Sequence, residues 1–297
     1  MKYKLLVPPA LVALLALSVY VRADANVRAE RGYGEHLGRA RAYAADAIVV
    51  DAAEQYKKAL ELAPSLALRM EIARFYASSG LWDAAADWCE DTADIYPREP
   101  EPYEYLMEMW FEKGDFASCF GLYGTMTRRG AVSALCEGIM EELEYAYYLT
   151  GEYEDVSAFG GGYCAVMTKG RWGYIDETGA RRLQPMYVRA GAFGPDGRAE
   201  VTDERGDTYY IDTEGNKRAP PAEPVTAPPA PDARGFSHGL TAVMRGGKWG
   251  YADAAGDMVI DGVFSDAGDF NSRGCALVKL DGSWRLLKLY KYNMSGR

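Results

Sequence analysis

Histidine is nearly missing from this chain: its 297 residues contain two, His36 and His238. That leaves little for a histidine-based zinc site or a nucleophile–base–acid triad. His238 sits in Phe236-Ser237-His238-Gly239-Leu240 with no Ser/Asp or Cys partner at a recognisable spacing, and reads as a surface turn residue. The five cysteines (Cys89, Cys119, Cys136, Cys164, Cys275) form no CxxC pair, and an odd count suits a disulfide framework poorly. They read as small buried apolar residues. Basic charge is also short, with 33 Lys+Arg against 43 Asp+Glu, a net of −10. The deficit is local: residues 51–155 hold 22 acidic and 8 basic side chains, whereas residues 156–297 hold 17 and 18. Nucleic-acid binding wants a basic face, so it is excluded as a function class. Gly160-Gly161-Gly162 lacks the following Lys-Ser/Thr of a phosphate loop. No constellation points to catalysis, a metal or a cofactor, and the expectation is a protein that is not an enzyme.

One long apolar run is present. Lys2 and Lys4 precede Leu5 to Val21, and Arg22 ends the run. Its 17 residues are near the lower limit for crossing a bilayer and exceed the roughly 7–15 of a secretory core segment. Two readings follow. A signal anchor would hold the chain in the cell membrane as a single-pass protein, its bulk extracytoplasmic. A signal peptide cleaved near Ala23 would release it, since Val21-Arg22-Ala23 places small residues at the −3 and −1 places. Length favours the anchor.

Helical spacing dominates the next hundred residues. Ala52, Tyr56, Ala59 and Pro64 open the series. Ile72, Ala73, Tyr76, Gly80, Trp82, Ala85, Cys89 and Pro97 repeat it, followed by Leu106, Trp110, Gly114, Phe116, Cys119 and Tyr123. A looser fourth set is Leu143, Tyr147, Gly151 and Tyr153, with Glu144 where a small residue is expected. The pattern resembles tetratricopeptide repeats, in which small residues let paired helices approach and glycine ends the first helix of each pair. Glu101, Glu104, Glu108 and Glu112 share one helical face, and Glu137, Glu141 and Glu144 repeat the theme. By the resemblance, Glu101, Glu104 and Glu108 fall near groove-lining places, suited to a basic protein or peptide. The other reading is a solvated like-charged face, the commoner fate of such runs.

The second half changes period. Phe159, Phe193, Phe236 and Phe270 recur at steps of 34, 43 and 34, each followed six places on by Ala165, Ala199, Ala242 or Ala276. Short apolar strands alternate with turns: Asp176-Glu177-Thr178-Gly179, Asp212-Thr213-Glu214-Gly215 and Asp253-Ala254-Ala255-Gly256 fit tight hairpin turns, not calcium loops. The proline-rich stretch Ala219 to Asp232 stretches the middle step and reads as an extended spacer. The segments KGRWGYIDETG and KWGYADAAG mark the repeat most clearly. They resemble WG repeats, a family of bacterial β repeats that implies an array fold without catalytic residues. The second copy departs from the Trp-Gly core at Thr208-Tyr209-Tyr210, and the fourth keeps Trp284 but loses the glycine.

The expected fold is α+β in separate domains. A membrane helix or signal covers 1–22, tetratricopeptide-like helices 23–155, and an antiparallel all-β WG-repeat array 156–297, with 219–232 inserted. The expected function is a membrane-tethered, extracytoplasmic protein-interaction scaffold. The alternative is a cell-wall or glycan-binding module that stacks Trp172, Tyr174, Trp249 and Tyr251 on its polymer. Packing is the favoured role for Trp172-Gly173-Tyr174 and Trp249-Gly250-Tyr251: the indole fills the repeat interface and glycine permits its close approach.

Overall fold

Two compact units divide the chain: one takes in the helices up to Asp115 together with Leu122–Glu137, the other Phe116–Gly121 and the chain from Gly138 onward. The structure, a computed structural model, describes residues 9–221 and 235–293. Most of the proline-rich spacer therefore lies outside the described residues, as do residues 5–8 of the expected membrane span.

The helices are α1 (Pro9–Ala45), α2 (Val49–Leu62), α3 (Leu66–Ser78), α4 (Trp82–Ile95), α5 (Glu101–Lys113), α6 (Phe116–Arg129) and α7 (Ala134–Glu142). Among the described residues no helix is long and apolar enough to cross a membrane, which corrects the expected N-terminal membrane helix. From Pro9 on, the apolar run belongs to a 37-residue helix that continues without a break past Arg22, and its later turns carry Arg28, Glu30 and Arg31.

In the first unit, small residues do set the helix spacing. Ala40, Ala52, Ala59, Ala73, Ala85 and Cys89 are completely buried. Leu37, Tyr56, Leu68, Ile72 and Phe75 fill one core between α1, α2 and α3. Ala77, Ala85 and Met109 continue the packing between α3, α4 and α5. The helix ends are specified locally. Ser65 caps α3, its Oγ accepting from the Leu68 N–H at 3.2 Å, a contact worth about 1 kcal/mol. Gly114 ends α5 with φ +72, where a Cβ would be strained, and the Asp115 N–H then bonds the Trp110 carbonyl at 2.9 Å. Arg129 fastens the far end by donating to the Ala93 carbonyl at 3.1 Å and to Asp94 Oδ1 at 2.8 Å, a cation at the C-terminal turn of α4.

The second unit holds fifteen strands among the described residues, in four antiparallel sheets. Sheet I contains β2 (Asp155–Val156), β3 (Tyr163–Thr168), β4 (Arg171–Asp176) and β5 (Arg181–Tyr187). Sheet II contains β6 (Arg189–Ala190), β7 (Ala199–Thr202), β8 (Thr208–Ile211) and β9 (Lys217–Arg218). Sheet III contains β10 (Thr241–Arg245), β11 (Lys248–Ala252) and β12 (Met258–Phe264). Sheet IV contains β13 (Asp266–Ala267), β14 (Cys275–Leu280) and β15 (Ser283–Leu289), and its fourth strand is β1 (Tyr147–Tyr153). A one-turn helix, α8 (Tyr290–Asn293), follows.

Strand β1 corrects the sequence reading, which placed Tyr147, Gly151 and Tyr153 in a fourth helical unit. Tyr147 lies opposite Leu289, Leu149 opposite Leu287, and Tyr153 opposite Trp284. The chain thus completes its last sheet with a strand taken from before its first repeat.

Shared cores join the sheets in the order III, IV, I, II. Leu240, Ala242, Tyr251, Ile260 and Phe264 of sheet III pack with Ala276, Val278 and Leu287 of sheet IV. Cys275, Leu277 and Leu286 of sheet IV pack with Cys164, Val166 and Ile175 of sheet I. Tyr174 and Tyr187 of sheet I pack with Phe193, Val201 and Ile211 of sheet II. The alanine six places after each phenylalanine is buried in every repeat. All five cysteines are free, and all are buried as read from the sequence; burial pushes the Cys89 and Cys164 thiols up to about 12.

Candidate functional site

The Trp-Gly-Tyr stretch is shaped by a bulge in the strand that follows it. In sheet I, Trp172 opposes Tyr187 while Tyr174 opposes Leu183, so two residues of β4 face four of β5. In sheet III, Trp249 opposes Phe264 while Tyr251 opposes Ile260, again two against four. The surplus backbone folds over the intervening glycine. A Cβ on Gly173 would stand 2.6 Å from the Leu183 oxygen and 2.8 Å from the Pro185 nitrogen. On Gly250 it would meet the Asp261 carbonyl carbon at 2.8 Å, with the Ile260 oxygen closer still. Glycine is required because another backbone passes there. The bulge also turns Tyr187 and Phe264 into the core, where both are buried.

The tyrosine spans consecutive sheets. Tyr174 Oη donates to the Gly191 carbonyl at 2.8 Å, and Tyr251 Oη donates to the Gly268 carbonyl at 2.7 Å. The Tyr174 ring packs on Phe193 with centroids 4.8 Å apart, and Tyr251 packs on Phe270 at 4.6 Å. Both tyrosines are completely buried, and burial holds the Tyr174 phenol well above its ordinary pKa. The indoles of Trp172 and Trp249 are half-buried beside these clusters. The sequence reading gave the interface to tryptophan; the tyrosine fills it, and the glycine admits a bulged strand rather than the indole. A signal was available in the chain. Tyr174 to Gly191 and Tyr251 to Gly268 are the same 17-residue step, each with a phenylalanine two places beyond.

The two altered repeats show what these parts do. In the second, Tyr209 replaces the glycine, and β8 pairs in simple register with a two-residue β9 that carries no bulge. Tyr210, at the place of Tyr174, points its hydroxyl to Glu200 at 3.2 Å, and Phe236 of the next repeat is 61% exposed. In the fourth, Trp284 opposes Tyr153 of β1 across a register shift, as Trp172 opposes Tyr187. The aromatic partner that the last repeat lacks downstream is supplied by β1.

The acidic residues sit elsewhere. On α5, Glu101 forms an ion pair with Arg74 at 2.7 Å and is not free for a ligand. Glu104 is half-buried, and Glu108 and Glu112 are exposed. Among the described residues none of these three has an ion-pair partner, and Glu137 at the end of the first unit is likewise exposed and unpaired. Glu141 is exposed and falls in the second unit. His238, expected on the surface, is half-buried. Its Nε2 lies 2.9 Å from the Asn271 carbonyl and its ring 4.1 Å from that of Tyr292.

A family model described as "WG containing repeat" matches residues 172–204 and 249–284. A search of curated proteins found no match. Each matched stretch opens on the tryptophan and runs into the next sheet, so it contains both ends of a tyrosine contact: Tyr174 with Gly191 and Phe193, and Tyr251 with Gly268 and Phe270. The sequence repeat is therefore out of phase with the sheets and coincides with the joint between them. The chain carries WG-containing repeats.

Proposed function

We propose that this chain is a non-catalytic protein-interaction scaffold, in which a tetratricopeptide-like helical unit recognises a basic protein or peptide and the WG array is a second module. The observation that carries the reading is the acidic face of α5, where Glu108 and Glu112 project into solvent and Glu104 beside them has no cationic partner among the described residues. The tetratricopeptide-like assignment rests on the buried small residues Ala52, Ala59, Ala73, Ala85 and Cys89 and on glycines at the ends of α3 and α5. A glycan-stacking role for the repeat aromatics has less support, because Tyr174 and Tyr251 offer no exposed ring face.

The test is the double variant Glu104→Lys, Glu108→Lys in the full chain, probed with a lysine-rich peptide by fluorescence anisotropy. Wild-type binding should weaken as salt rises, since exposed charges are screened beyond about 10 Å at 0.1 M. The variant should lose at least tenfold in affinity with unchanged circular dichroism. Equal affinity of wild type and variant would remove the acidic face from the mechanism.

A further inference from the structure

The second unit contains a cavity of about 590 Å³ that none of the repeat features explains. Its wall is made by Arg273, Lys288, Tyr148, Tyr292 and the turn Thr178-Gly179-Ala180. From this arrangement we infer a binding site for a small organic anion, a carboxylate or phosphate monoester with an aromatic or apolar body.

Charge comes first. Neither Arg273 nor Lys288 has a carboxylate partner at ion-pair distance among the described residues; of the neighbouring acids, two are taken by other cations and one by a serine hydroxyl. Asp176 pairs with Arg182 at 2.7 Å, Glu144 with Lys291 at 3.0 Å, and Glu177 accepts from Ser272 Oγ at 3.1 Å. Two cations facing one concave space with no carboxylate in ion-pair contact raise its affinity for an anion. Guanidinium presents a planar fork and ammonium a point charge, a pair that suits either carboxylate or phosphate.

The walls are fixed before any ligand arrives. Asn271 Nδ2 donates to the Glu177 carbonyl at 3.1 Å, tying the turn that bears Arg273 to the turn that bears Gly179. Asn293 Nδ2 donates to the Arg273 carbonyl at 3.2 Å and to the Leu289 carbonyl at 3.0 Å, closing the other side. Lys288 lies opposite Tyr148 across the β1–β15 ladder, and its Nζ is 5.8 Å from the tyrosine ring centroid. That Nζ also stands 3.8 Å from where a Cβ on Gly179 would be, so the ammonium sits against a wall with no side chain. The Tyr292 ring is held against His238, with centroids 4.1 Å apart. The two tyrosines supply the apolar flanks that give an anion with an aromatic body its advantage over a bare ion.

Isothermal titration calorimetry of the full chain with phenyl phosphate, benzoate and inorganic phosphate tests the site. Saturable one-to-one binding is expected for phenyl phosphate or benzoate, at least fivefold tighter than for inorganic phosphate. Whichever aromatic anion binds tighter identifies the head group. Arg273→Gln and Lys288→Gln should each weaken it tenfold or more while leaving the urea unfolding midpoint in place. Tyr292→Leu should reduce the preference over inorganic phosphate and spare the inorganic ion. The inference fails if no probe saturates, if the aromatic and inorganic anions bind equally, or if both charge variants bind like wild type.

Discussion

Gly250→Ala is expected to remove about 3 kcal/mol or more from the stability of the β unit, the upper range for an overpacked core position. The reason is the identity of the neighbours. A flexible side chain meeting a new methyl group rotates away, whereas the Asp261 carbonyl carbon at 2.8 Å and the nearer Ile260 oxygen belong to β12 itself. Relief requires the bulge to lift, and lifting it withdraws Phe264, which is completely buried in the core joining sheets III and IV. Gly173→Ala should behave in parallel through Leu183 and Pro185. Gly262→Ala is the control on the same strand: its Cβ would meet nothing nearer than the Lys248 oxygen at 3.5 Å, an ordinary contact, and the cost should stay below about 1 kcal/mol. Urea unfolding followed by tryptophan fluorescence measures all three. A Gly250→Ala midpoint no lower than that of Gly262→Ala would mean that the bulge yields freely.

Replacing β1, residues 147–153, with a glycine-serine segment of equal length should cost the β unit about 5 kcal/mol or more, comparable with the whole stability of many domains. Three losses combine. The β15 edge loses its ladder and is left as an unpaired template for other chains. Leu149 and Tyr147 leave the core of sheets III and IV. Tyr153 leaves the core between sheets IV and I, where truncating a single buried aromatic costs roughly 3–5 kcal/mol. The variant should show a non-cooperative transition and concentration-dependent aggregation by light scattering. A wild-type midpoint would show that the four repeats are self-sufficient and that β1 is an ornament to sheet IV.

How much of this could be read from the chain differs with the range of the interaction responsible. Turns were legible because they are local: in Asp176–Gly179, Asp212–Gly215 and Asp253–Gly256 the glycine N–H bonds the aspartate carbonyl, and the aspartate Oδ1 accepts from the backbone beyond. The buried alanines and cysteines of the helices were legible for the same reason. Strand β1 was not. Leu143, Tyr147 and Gly151 satisfy a four-residue helical step, while Tyr147, Leu149 and Tyr153 satisfy a two-residue strand step, and so short a stretch cannot decide between them. What decides is pairing with Leu287 and Leu289, at the other end of the unit. The acidic face was legible as a pattern, yet Glu101 turned out to be held by Arg74 on another helix. The apolar start misled in a similar way. Its length suggested a span, but from Pro9 the helix that holds the described part of it runs on through charged residues. The cavity holding Arg273 and Lys288 gave no sequence signal, because its walls come from β1, β15, α8 and two separate turns.

Trp-Gly-Tyr is a joint between sheets rather than a surface for a ligand. A double-mutant cycle addresses it most directly. Tyr251→Leu and Phe270→Leu, singly and together, should show a coupling energy of about 1 kcal/mol or more, as expected for packed aromatic rings with centroids 4.6 Å apart. The matching cycle at the altered repeat, Tyr210→Leu with Phe236→Leu, should give coupling near zero, since Tyr210 turns to Glu200 and Phe236 is 61% exposed. Zero coupling between Tyr251 and Phe270, with both single variants as stable as wild type, would contradict the joint and return the tyrosine to the candidates for ligand binding.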